Sequence, residues 1–154
     1  MYMLLFFSNV SCGQNRTVIS DKEQESVVLY DVQGLKYEQL WRFNNTIVRD
    51  CYFSRKGEII DNATWNVEIQ TLLKLKDKIL CKFRVDDETF TSGTAIVLLL
   101  AVPKSNILEL RLARGLTSSF DKEMLRVLKD VEQEVLVFSD KPIAVFIPIR
   151  ITID

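Results

Sequence analysis

The chain has 154 residues, 47% of them hydrophobic and 27% charged, and its formal net charge is −1. These proportions suit a packed globular protein, most simply one domain over residues 1–154, and exclude wholesale disorder. Basic and acidic residues are interspersed, so no global field gathers nucleic acid or anionic lipid.

The longest apolar run, Ala95–Val102, is too short to cross a bilayer as a helix, so no membrane span is expected. The chain opens on MYMLLFF, which lacks the basic flank and apolar length of a signal peptide. Cys12, Cys51 and Cys81 are too few and too scattered for a disulfide scaffold. Four N-x-S/T sequons, at Asn9, Asn15, Asn44 and Asn62, point the other way, toward a secretory route. The balance favours an intracellular protein, with a secreted or viral surface domain as the alternative.

Met3–Phe7 reads as a short strand, and SNVSCGQNR as a polar link with a turn at Gly13. Val27–Val32 and Leu35–Phe43 flank Gln33–Gly34. In the second run Leu35, Tyr37, Trp41 and Phe43 share one parity, which predicts a hairpin, with a single helical turn over YEQLW as the alternative. Ile47–Phe53 is the next strand, closed by SRKGE with Gly57 at the turn. The span 54–62 is the one stretch placed to divide the chain, and it is short enough to be a surface loop.

Trp65, Val67, Ile69, Thr71, Leu73 and Leu75 alternate, as do Ile79, Cys81, Phe83 and Val85 beyond KDK. The reading adopted is a long β-hairpin with a charged tip; a helix over Val67–Lys76, suggested by the adjacent Leu72 and Leu73, is the competitor. On that hairpin Lys74, Lys76, Lys82 and Arg84 face away from the apolar row. They form either a solvated face or a row touching phosphates.

Thr94–Val102 has the continuous apolar content of a central strand and stops at PKSN. Ile107–Ala113 returns, with Leu108, Leu110 and Leu112 on one face and Glu109 and Arg111 on the other. Phe120, Met124, Val127, Leu128 and Val131 then recur three and four apart, one face of a helix. Ser118 is the expected N-cap, and Asp121 and Glu123 suit the positive helix start. Val135–Phe138 and Ile143–Ile153 complete a closing hairpin across SDKP. The predicted fold class is α+β: antiparallel sheet built from hairpins, with a C-terminal helix followed by a β-hairpin.

The absence of histidine removes the commonest general base, the Ser-His and Cys-His nucleophile systems, and histidine-bearing zinc sites. No Walker A, dinucleotide fingerprint or CxxC pair is present. Asp86, Asp87 and Glu88 read as a solvated loop rather than a cation site, and Cys51 as a packing residue. The chain is therefore expected to be no enzyme, to need no cofactor, and to work by contact with a protein partner or with itself. Pro148 places Ile143–Ile153 at a sheet edge or bulge, which makes Ile147, Ile149, Ile151 and Ile153 the interface candidates.

The segment Phe120–Ile147, FDKEMLRVLKDVEQEVLVFSDKPIAVFI, is similar to the end of a DNA sliding-clamp domain of the proliferating-cell nuclear antigen type. That resemblance implies a clamp-like, DNA-associated subunit. In it Met124, Leu125 and Leu128 join helix to sheet and SDKPIAVF forms the terminal hairpin.

Overall fold

A computed structural model describes residues 15–18, 24–42, 47–61, 63–64, 67–85, 92–135 and 141–152. The chain divides into two compact units, 1–63 and 64–154, and the boundary falls at the end of the 54–62 span.

The first unit is an antiparallel sheet whose strands follow chain order: β1 (Asn15–Val18), β2 (Gln24–Tyr30), β3 (Lys36–Arg42), β4 (Ile47–Phe53) and β5 (Ile59–Asp61). Leu29, Tyr37, Tyr52 and Ile60 form one cross-strand row and are buried, with Tyr37 stacked on Tyr52. Val27, Gln39 and Asp50 form the neighbouring row on the same face. Asp50 accepts the Tyr52 hydroxyl proton. Burial pushes its carboxyl above the usual range, against that hydrogen bond, and the nearby Asp61 charge adds to the rise.

Two turns of the same construction close β2–β3 and β4–β5. Asp31 N–H donates to Leu35 O at 2.9 Å and Gly34 N–H to Asp31 O at 3.0 Å. Ser54 repeats both bonds with Glu58 and Gly57, each at 2.9 Å. Asp31 Oδ1 also accepts the Gln33 and Leu35 amides, and Ser54 Oγ accepts the Glu58 amide. Gly34 and Gly57 both sit at φ +86°, the left-handed position that ends such a loop without a Cβ penalty. The expected turn at Gln33–Gly34 and that at Gly57 are both present.

The second unit is a three-stranded antiparallel sheet of order β7-β6-β8, from β6 (Gly93–Val102), β7 (Ile107–Arg114) and β8 (Ile143–Ile151). Two helices cover one face: α1 (Ile69–Lys82) and α2 (Ser118–Glu132). The C-terminal helix followed by a strand, and the α+β class with it, are as the sequence predicts. Central β6 is buried from Ala95 to Ala101. A short 3-10 turn at Pro103–Ser105, with Asn106 left-handed, reverses the chain into β7. The expected strand Val135–Phe138 lies outside the described residues from 136 onward, as do Met3–Phe7, Phe43 and Asp86–Glu88.

The proposed hairpin over Trp65–Val85 is corrected: residues 69–82 of it form α1. Odd-numbered apolar residues imitate a strand there, but Leu72, Leu75 and Ile79 fall three and four apart, and Leu75 and Ile79 are buried in the core. Leucine and lysine also favour helix over sheet. The N-cap of α2 moves back one residue, to Thr117, whose Oγ1 accepts the Phe120 amide. Asp121 reaches back further still and accepts the Leu116 amide at 2.8 Å.

Candidate functional site

Ile147, Ile149 and Ile151, taken from sequence as interface residues, belong to the core of the second unit. Their parity on β8 turns them toward the helices together with Ile143 and Val145, so their side chains are spent inside the chain; Ile153 lies outside the described residues. Among the described strands β8 is the last of its sheet, next to central β6, with Thr64 bridged to its start.

Which backbone groups face outward follows from one hydrogen bond. Ala144 N–H donates to Thr64 O at 3.0 Å, and Thr64 N–H to Pro142 O at 2.8 Å, a parallel bridge on the side away from β6. Backbone groups alternate sides along a strand, so those of Pro148 and Arg150 also point away from β6. Pro148 therefore costs the sheet no internal bond, because its missing N–H falls on the outer row. The opposite edge is guarded differently: the outward Leu110 amide on β7 donates to Glu132 Oε2 of α2 at 3.0 Å.

Above this sheet α2 lies against β7, while α1 lies against α2 and β8. Polar contacts fix the α1–α2 side. Lys82 pairs with Glu134, and Lys78 donates to the Glu134 carbonyl. Arg126 donates to the Lys82 carbonyl at 3.0 Å, and the Arg84 amide donates to Glu123 Oε2 at 2.7 Å. Phe83 meets Phe120 at a centroid distance of 5.1 Å. Hydrogen bonding to Arg126 holds the Glu123 carboxyl below its usual range, and Lys82 does the same to Glu134.

Successive residues of a helix advance about 100° round the axis. Lys78 and Lys82 mark the α2 side, Leu72, Leu75 and Ile79 the core side, and Ile69, Leu73 and Leu80 come next, on the flank farthest from α2. These three are 71%, 48% and 40% exposed. Because α1 is the helix on the β8 side, this apolar flank faces away from α2 on that side of the unit. Their spacing of four and seven makes a seam about three turns long, with Lys76 in the middle of it.

The row Lys74, Lys76, Lys82 and Arg84 is dissolved by the same geometry. Lys74 and Lys76 stand on nearly opposite sides of α1, Lys82 is paired with Glu134, and Arg84 follows the helix with its amide on Glu123. These four residues therefore form no continuous line.

The other face of the sheet carries Leu98, Leu100, Phe146, Glu109 and Arg111, all buried. Arg111, fully buried, pairs with Glu109 at 3.8 Å across one intervening residue. Cys51 is half-buried on β4 and Cys81 exposed on α1. Asn15 opens β1, while Asn9, Asn44, Asn62 and Cys12 lie outside the described residues. Among the described residues no three Cys, Asp or Glu side chains gather as a metal site requires, and no helix is long and apolar enough to cross a membrane.

Sequence reasoning missed the α1 flank, although its signal was there in the spacing of Ile69, Leu73 and Leu80. Comparison with protein-family models, with curated proteins and with solved structures finds no match to this chain.

Proposed function

We propose that the chain is a non-catalytic interaction subunit that binds another protein along the α1 flank beside β8. The observation that carries this reading is the uneven distribution of exposed apolar bulk. Of the seven large hydrophobic side chains exposed among the described residues, four, Ile69, Leu73, Leu80 and Val85, belong to α1 and the three residues after it. A helix that has already filled its core face gains nothing within its own unit from a second apolar stripe, and such stripes mark binding surfaces. The missing histidine supports a role by contact rather than by chemistry.

A photo-crosslinking residue placed at Leu73, in cells that naturally make the chain, tests the reading. A defined polypeptide should be trapped, and should be lost when Leu80→Glu is added without a change in melting temperature. Trapping nothing at Leu73 or Ile69, or a catalytic turnover by the purified chain, would overturn it.

A further inference from the structure

We infer that the occupant of this site is a second copy of the chain, its α1 laid parallel to the first about a two-fold axis, with Lys76 of each copy paired with the other copy's Asp77. The inference rests on the α1 flank being the contact surface and goes on to name what fills it.

The apolar part of the flank matches itself. Ile69, Leu73, Lys76 and Leu80 follow one another at intervals of four, three and four, the repeat that keeps one stripe of a helix against another helix. Ile69, Leu73 and Leu80 are all exposed within the chain. A two-fold axis running along two such helices sets like residues at the same height, as an isologous contact requires. Ile69 then meets Ile69, Leu73 meets Leu73 and Leu80 meets Leu80, over about 16 Å of helix.

Charge selects the second copy and its direction. At about 100° per residue, Lys76 stands about 40° to one side of the centre of the seam and Asp77 about 60° to the other. The two charges thus mark opposite margins at the middle of the helix. Lys76 is half-buried and Asp77 exposed, and among the described residues neither side chain has a hydrogen bond or ion pair. Parallel helices related by a two-fold axis bring opposite margins together. Each Lys76 then faces the other copy's Asp77, about 1.5 Å apart in height, and the contact gains two identical ion pairs. Antiparallel helices related by a two-fold axis bring like margins together, with Lys76 beside Lys76 and Asp77 beside Asp77, which repel. A foreign helix would need to bring its own acid and base to these margins. The chain already carries both, in the matching order.

Sedimentation velocity of the full chain over a concentration series tests this and should show a monomer–dimer equilibrium. Leu73→Glu should weaken the dimer by about a hundredfold or more, since an acid replaces leucine on both sides of the axis. Lys76→Glu and Asp77→Lys should each weaken it by about tenfold. A variant carrying both reversals should recover most of that loss. The two single variants, mixed, should associate with each other more tightly than either does with itself. All three positions are exposed or half-buried, so the far-UV helical signal should stay unchanged.

A wild type that stays monomeric up to about 1 mM would overturn the inference, and trapping of a foreign polypeptide at Leu73 would then uphold the flank as a binding surface without it. A dimer indifferent to Leu73→Glu would place the contact elsewhere on the chain and overturn the inference as well. A dimer that Leu73→Glu dissociates but neither charge reversal weakens would overturn the parallel pairing and leave the flank as the contact.

Discussion

The loop into α2 offers a sharp test of the packing described above. A Cβ built on Gly115 falls on the carboxylate of Asp121, which holds the Leu116 amide at 2.8 Å. Gly115→Ala must therefore displace Asp121 and break that bond. A hydrogen bond to a charged acceptor contributes about 1.5–3 kcal/mol, and the half-buried position of Asp121 argues for the lower end. Against this, alanine restricts the unfolded chain and returns about 0.4–1 kcal/mol. The expected net loss is about 1 kcal/mol. In an Asp121→Ala background the obstacle and the bond are both gone, so Gly115→Ala should be neutral or stabilising by about 0.4–1 kcal/mol. The two substitutions are thus expected to couple by about 1.5–2 kcal/mol, measured by urea unfolding of wild type, both single variants and the double. The far-UV helical signal is the suitable probe, since α1 and α2 both lie in the second unit. Costs that add to within about 0.3 kcal/mol would refute the reasoning.

Ile149→Lys puts an ammonium group in the core beneath the helices, at a position with no exposure. A loss of several kcal/mol is expected, enough to abolish cooperative melting of the helical signal; a folded, fully helical variant would remove Ile149 from the core. Glu123, whose folded pKa is depressed by Arg126, contributes stability above the ordinary value of 4.5 that is lost as pH falls through the folded value. Glu123→Gln should accordingly be less stable than wild type at neutral pH by about 0.5–1 kcal/mol, and melts at falling pH should show the gap closing. Asp50 behaves oppositely. Its folded pKa is raised from 3.8, so its contribution is favourable in acid and is lost as pH rises through the folded value. Asp50→Asn should stabilise the first unit at neutral pH and not in acid, read by near-UV melting of the Tyr37–Tyr52 signal.

Elements fixed by local chemistry were legible from the residues. The glycine turns, the β-branched run of β6, the stop at Pro103 and the stripe of α2 each carry their cause within a few positions. α1 was not legible, because its odd-numbered residues satisfy a strand period as well as a helical one, and only the burial of Leu75 and Ile79 against the sheet decides between them. The misreading moved the candidate site with it. Lys74, Lys76, Lys82 and Arg84 make a row only on a strand, and Ile69, Leu73 and Leu80 make a seam only on a helix. For β8 the sequence signalled an edge through Pro148 but not which way its isoleucines turn. Parity alone leaves two faces, and the choice is made by helices elsewhere in the chain.

The paired turns of the first unit have a consequence for how it assembles. Each closes two strands across a few residues, so β2–β3 and β4–β5 are local hairpins of the kind that form in about 1–10 μs. The two hairpins join where β3 pairs with β4 and Tyr37 stacks on Tyr52. Until that seam closes, every molecule displays an unpaired strand that a neighbouring molecule's hairpin can match as well as its own. Refolding at high concentration should then yield exchanged dimers, and loosening the seam with Tyr37→Ala should raise their yield; size-exclusion profiles that do not change with refolding concentration would refute this. Similar turns on two short hairpins thus make the first unit quick to begin folding and open to trading halves with its neighbours.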